Sequence, residues 1–247
     1  MLPVAGSLTF GIVPVMGRAG IKRSGWLGKL LWTLFILLVA APVLLLLVFR
    51  FLPLPGTPQM IWSLAEGKGA HYRWSDDVPA FLGRAVIGSE DQNFCSHNGF
   101  DWKSIDQAMA AHERNPAKRL RGASTISQQT ARTLFLVPVR SWIRKGMEAY
   151  LTILLEALWP KKRILEAYLN LVDWGHGNFG ADAAARAYFG VDAGRLTRSQ
   201  AARLAAILPD PDKWNASRPG PYVAERARFL TGQAGVVLRD GLDRCLR

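Results

Sequence analysis

The sequence predicts a mainly α-helical domain carried behind one N-terminal membrane-spanning helix. Three observations predict it: an unbroken apolar run from Leu30 to Phe49, apolar residues at helical spacing beyond Pro79, and no convincing pair of segments alternating with a period of two. The 247 residues suffice for one domain of ordinary size plus an anchor, and 49% hydrophobic with 20% charged residues exclude a disordered or fibrous chain.

The apolar run comes first in the chain. At about 1.5 Å per residue it reaches roughly 30 Å, the thickness of the bilayer hydrocarbon. Pro42 would kink it, which a membrane helix tolerates, and Lys29 and Arg50 flank it as snorkelling ends. A cleaved signal peptide has an apolar region of about 7–15 residues. Here the run continues past Ala40-Ala41, so an uncleaved anchor is expected. Arg18, Lys22, Arg23 and Lys29 precede the run and no charge follows in 51–65. The positive-inside rule then places the N-terminus in the cytoplasm and the bulk of the chain outside the inner membrane, in the periplasm. Met1 to Val15 carry no charge, and Met16, just ahead of the basic cluster, is an alternative start.

The expected order is a cytoplasmic basic tail over 1–29, the transmembrane helix over 30–50, a stalk over 51–78 marked by Pro53, Pro55, Gly56 and Pro58, and an outer domain over 79–247. Within that domain Pro79 opens a helix through Ser89, behind Asp76 and Asp77. Asp101 caps Trp102 to Glu113, with Ile105, Met109 and His112 on one side. Ser141 starts a longer helix through Trp159, whose apolar side includes Leu151 and Leu155. Pro160 interrupts, and Lys161 to Leu171 resumes. Thr197 and Gln200 form a capping box ahead of a helix that Pro209 and Pro211 stop. Two loops stand apart, 88–99 and 173–180. In the second, Gly175, Gly177 and Gly180 let the backbone approach a ligand or bend sharply.

Charge narrows the function classes. Lys and Arg number 31 against 19 Asp and Glu, a net +12; five of the basic residues lie in the first fifty positions without an acid, which leaves +7 beyond them. Such a surplus calls for an anionic partner or a membrane. No nucleic-acid motif is present. Cys95 and Cys245 are too few for a disulfide scaffold and lack zinc-site spacing. One bridge between them fits an oxidising compartment; two free thiols are the simpler expectation.

Three clusters carry chemistry. Glu90 to Gly99 packs Glu90, Asp91, Phe94 and His97 at a helix end, although an acidic pair there is also an ordinary solvated cap. Gly122 to Arg132 contains Ser124, Thr125, Gln128 and Gln129, donors and acceptors suited to sugar hydroxyls and phosphate oxygens, with Arg132 adding charge. The same residues equally suit a polar helix start with Ser124 or Thr125 as cap. Arg144 and Lys145 share a helix face with Glu148 at i, i+4 and i, i+3, which alone is an ordinary surface salt bridge.

Together, Glu90-Asp-x-x-Phe94-x-x-His97-x-Gly99, Gly122-x-Ser-Thr-x-x-Gln-Gln129, Arg144-Lys-x-x-Glu148, Lys162-x-Ile-Leu-x-x-Tyr-Leu-Asn170 and Tyr188-Phe-Gly190 closely resemble the ordered motifs of family 51 glycosyltransferases, the bacterial peptidoglycan polymerases. The resemblance spans about 80–230 and is strongest to the monofunctional subgroup. No serine has lysine three places on, as a fused transpeptidase domain would require. Arg132-Thr133 stands where the family usually has Lys-Asn, and Pro160 where serine is common.

The resemblance implies a lysozyme-like helical glycosyltransferase domain that polymerises lipid II by inverting transfer from a polyprenyl-diphosphate donor to an acceptor 4-hydroxyl. It implies Glu90 as base, Glu148 as a second catalytic carboxylate, and Arg132, Arg144 and Lys145 on the diphosphates. Ser124, Thr125, Gln128 and Gln129 would position substrate, with His97 more structural than catalytic and Asn170 stabilising the fold. Glu148 could instead hold a divalent cation, Mg or Mn, that bridges the diphosphate. Implied partners are lipid II, the growing strand, the inner membrane and other cell-wall synthesis or division proteins. A lytic glycosidase would use paired carboxylates too, but has little use for the cations beside Glu148. An inactive membrane scaffold would have no reason to keep every acidic motif position.

Overall fold

The computed structural model describes residues 25–115, 123–139 and 141–247. The basic cluster Arg18, Lys22 and Arg23, the alternative start at Met16, and Gly122 lie outside them. Backbone contacts divide the chain between Ala41 and Pro42 into two units.

Trp26–Phe49 is helical throughout, 24 residues, long and apolar enough to cross a membrane. It comprises α1 (Trp26–Phe35), a π turn over Ile36–Ala40 and α2 (Ala41–Phe49). Pro42 lacks an N–H and crowds the turn before it, and the widened turn ends two residues before it.

In the second unit, the last turns of α2 are bound to residues 158–163. Trp159 Nε1 donates to the Leu46 carbonyl at 2.6 Å, and Arg50 Nη1 to the Leu158 carbonyl at 2.7 Å. Arg163 donates to the carbonyls of Phe49 and Leu52 at 2.8 and 2.5 Å, with the rings of Trp74 and Trp159 4.7 and 5.4 Å from its guanidinium. A helix leaves its last carbonyls unpaired, and Arg163 answers that of Phe49. Arg50, expected as a snorkelling end, instead reaches the end of a domain helix.

The expected stalk over 51–78 is corrected: it is folded into the second unit. Thr57 caps α3 (Pro58–Ala65) by accepting from Met60 N at 3.3 Å, and Leu54 and Met60 are buried. Tyr72 donates to the Leu54 carbonyl at 2.5 Å, and β1 (His71–Tyr72) pairs in parallel with β2 (Asn178–Phe179). Two residues per strand are too few for a period-two pattern. The prolines stiffen the path while the apolar residues between them pack.

The remaining helices are α4 (Ala80–Glu90), α5 (Trp102–Arg114), α6 (Ile126–Phe135), α7 (Trp142–Leu158), α8 (Lys161–Leu171), α9 (Ala181–Phe189), α10 (Arg198–Ile207) and α11 (Pro221–Arg239). The mainly α class holds. Asp101, Ser141 and Thr197 cap α5, α7 and α10, the last with the predicted Gln200 box. Helix α4 packs on α10 and α11, and α6 on α7 and α8. Ile87, Ile126, Leu155 and Ile164 join α4, α6, α7 and α8 in one fully buried core, which fixes the helix ends that carry the acids. Asn170 is fully buried and clasps Ser75, accepting from its N–H at 2.9 Å and donating to its carbonyl at 3.1 Å.

One expectation changes. Helix α5 buries no residue, and Met109 on its apolar side is 54% exposed. In 173–180 the sharp-bend alternative holds, with Gly175, Gly177 and Gly180 at φ +101°, +72° and +87°, and the backbone that comes close is the chain's own: a Cβ on Gly177 would stand 2.6 Å from the carbonyl oxygens of Lys68 and Gly69.

Candidate active site

The first cluster is built where α4 ends. Glu90 is its last residue, and Asp91 turns the chain into the loop 91–99. Asp91 is 6% exposed; both its carboxylate oxygens face His97 Nε2, at 3.0 and 3.1 Å, and Oδ2 also accepts from Ile126 N at 3.0 Å. That N–H belongs to the open first turn of α6, where the helix dipole favours a carboxylate. Asp91 and His97 therefore tie the loop to α6.

The second cluster divides by burial. Thr125 and Gln128 form a capping box, with Thr125 N donating to Gln128 Oε1 at 3.0 Å and Thr125 Oγ1 accepting from Gln128 N at 3.2 Å. Thr125 also donates to the Gly99 carbonyl at 2.7 Å. Both are buried, and the helix cap that the sequence offered as the alternative reading is formed by them. Ser124, one residue earlier, is partly exposed.

Gln129 points the other way. Its Nε2 donates to Glu90 Oε2 at 3.2 Å, and its Oε1 accepts from Tyr168 OH at 3.2 Å. The orientation of the amide follows from its partners, since a carboxylate offers only acceptors here and the phenol donates. Burial pushes the Tyr168 hydroxyl well above its usual range, and the negative charge of Glu90 adds to it, against a smaller opposing pull from Arg132. Tyr168 thus keeps its proton and remains a donor. Glu90 also accepts from Ser89 Oγ at 3.3 Å, and it is partly open. Tyr168 received no role from the sequence; its place in the fourth motif, facing α6, was the available signal.

The third cluster is tighter than a surface salt bridge. Ser141 caps α7, and about two turns on, Glu148 is 1% exposed. Its oxygens meet Arg144 Nη1 at 2.7 Å and Lys145 Nζ at 2.5 Å. Arg144 Nε is buried without a hydrogen-bond partner. Thr152 Oγ1 donates to the Glu148 carbonyl at 2.7 Å, while a Cβ on Gly99 (φ +90°) would stand 2.7 Å from Thr152 Cγ2. Only glycine fits there, and the contact sets the loop one turn from Glu148.

Both oxygens of Glu148 are committed to cations. Among the described residues no group of three His, Cys, Asp or Glu side chains could hold a metal ion.

The expectation of two free thiols is corrected: Cys95, inside the loop, is disulfide-bonded to Cys245, with Cα atoms 5.4 Å apart. The two lie 150 residues apart in sequence, a proximity that spacing alone could not reveal.

The transglycosylase family model matches residues 59–234, from α3 into α11. Proteins named biosynthetic peptidoglycan transglycosylase are similar over most of their length. That of Caulobacter vibrioides is 48% identical over 222 residues, 89% of this chain and 96% of the relative. That of Pseudomonas aeruginosa is 50% identical over 203 residues, 79% and 87%, and that of Rhodospirillum centenum 48% over 217 residues, 84% and 93%. With motifs, helical architecture and whole-length similarity in agreement, the chain belongs to the transglycosylase family.

Proposed function

We propose that this protein is a peptidoglycan glycosyltransferase that polymerises lipid II, joining the anomeric carbon of a polyprenyl-diphosphate donor to an acceptor 4-hydroxyl with inversion. The observation that carries this reading is the unequal setting of two carboxylates. Glu90 is partly open and, among the described residues, accepts from the neutral groups of Ser89 and Gln129, whereas Glu148 is closed and clamped by Arg144 and Lys145. A carboxylate of the first kind can take a proton; one of the second kind is committed to aiming its cations.

Glu90 accepts the proton of the acceptor hydroxyl as its oxygen bonds to the donor carbon. The electron pair of the breaking carbon–oxygen bond leaves with the diphosphate. Arg144 and Lys145, with Arg132 on α6, stabilise that growing charge through charge-assisted hydrogen bonds. The Nε–H of Arg144, buried and without a partner here, is a donor that such an oxygen could satisfy. Ser124 and Gln129 contact substrate, while Thr125, Gln128, Asp91 and His97 hold the frame. A divalent ion, Mg or Mn, would have to take its ligands from the diphosphate itself.

The apolar helix 26–49 supports a single-pass anchor, and the basic residues before it support an N-terminus in the cytoplasm and a domain in the periplasm. The Cys95–Cys245 bridge supports the same side, because disulfides persist in oxidising compartments. Incubation of the full chain with labelled lipid II and with purified peptidoglycan tests the reaction. Polymer from the first and no fragments from the second are expected; fragments from the second would indicate a lytic glycosidase.

A further inference from the structure

The loop 91–99, the first turn of α6 and the start of α8 meet at one largely buried ion pair that the chemistry above does not use. Glu156, near the end of α7, and Lys161, the first residue of α8, lie 2.7 Å apart with side chains 8% and 13% exposed. The same Glu156 oxygen accepts from Ser127 Oγ, and Ser127 is wholly buried on α6. Lys161 Nζ stands 4.5 Å from the centroid of the Phe94 ring, itself wholly buried in the loop. A Cβ on Gly99, at the end of that loop, would come within 3.2 Å of Glu156 Cγ. Pro160, in extended conformation with φ −68°, makes the corner between α7 and α8 that brings the two charges face to face.

Burying two charges is costly, and apolar side chains of similar volume fill such a space at least as well. What the charges add is direction. Ser127 stands two residues before Gln129, whose amide meets Glu90, and Phe94 stands four residues after Glu90. The ion pair therefore holds both sides of the Glu90–Gln129 contact from beneath.

We propose that Glu156 and Lys161 are positioning residues for Glu90: through Ser127 and Phe94 they set the α6 turn and the loop 91–99 in the register that aims the base. The proposal rests on the glycosyl-transfer reading of the site. A small displacement of a reacting group is expensive, roughly 10²-fold in rate for about 1 Å, so the effect should appear in kcat rather than in substrate affinity.

The test uses the full-length protein and steady-state polymerisation of lipid II, well below each variant's unfolding midpoint. Lys161→Met alone strands a buried carboxylate and can unfold the domain, so the key variant is Glu156→Gln/Lys161→Met, which removes both charges at similar volume. We expect it to unfold within a few degrees of the native protein, to keep KM within about twofold and to lose at least about tenfold in kcat. Lys161→Arg, which keeps the ion pair and the cation on the Phe94 ring, should retain kcat within about threefold. A folded double variant with native kcat, or equal losses of kcat in the double variant and in Lys161→Arg, would overturn the proposal. If the native protein itself does not polymerise lipid II, the catalytic reading falls and the proposal with it.

Discussion

Gln129 Nε2 lies 3.2 Å from Glu90 Oε2, across 39 residues of sequence, and it links the end of α4, which carries the base, to α6. Tyr168 fixes the amide from behind by donating to its oxygen at 3.2 Å.

Replacing Tyr168 by Phe removes that donor and frees the amide to turn. A hydrogen bond of this kind contributes about 0.5–1.5 kcal/mol, so kcat for lipid II polymerisation should fall roughly 2–10-fold with KM little changed. Unchanged kcat in a folded Tyr168→Phe protein would show that Gln129 is held by other means.

Glu148→Gln leaves Arg144 and Lys145 without the charge that aims them. Polymerisation should fall by at least about 10²-fold, the usual scale for loss of transition-state electrostatics, with the helical circular dichroism retained. Substantial activity in this variant would reduce the cluster to a structural salt bridge.

The Cys95–Cys245 bridge closes 150 residues of chain onto the catalytic loop. Removing a native disulfide typically costs about 2–5 kcal/mol. Reductant, or Cys95→Ser with Cys245→Ser, should therefore lower the thermal midpoint and speed amide exchange over 91–99. Two titratable thiols in the unreduced native protein would contradict the bridge.

Acid should weaken the domain through Asp182 at the start of α9. Burial alone would raise this carboxyl, but the N–H of Ala193 at 3.0 Å and Arg186 at 2.8 Å outweigh it and hold it below its ordinary 3.8. A carboxyl depressed on folding contributes stability above its unfolded value and loses it as pH falls through the folded one. Denaturant midpoints measured from about pH 6 to about pH 2 should decline at the acid end, and less steeply in Asp182→Asn. Identical slopes would show that Asp182 does not drive the acid transition.

Local chemistry was legible in the sequence and distant geometry was not. Asp101, Ser141 and Thr197 announce α5, α7 and α10 because a cap needs only a side chain and an N–H three residues on. The motifs likewise named Glu90, Glu148 and the cations. The roles of Thr125 and Gln128 were undecidable, since one capping box satisfies both expectations until burial is known. The segment 51–78 reads as a stalk because proline and glycine dominate its start, yet Leu54, Met60 and Tyr72 pack it onto the domain. Helix α5 shows the reverse, an apolar spacing that buries nothing. Tyr168, Glu156 and Lys161 acquire meaning only from partners on other helices.

The most direct measurement is the gel-resolved yield of glycan polymer from labelled lipid II for the native protein and for Glu90→Gln, the latter confirmed folded by its thermal midpoint. The account predicts polymer from the native protein and none from Glu90→Gln, since an amide can still accept from Gln129 but cannot take the acceptor's proton. Near-native polymer from Glu90→Gln would contradict it.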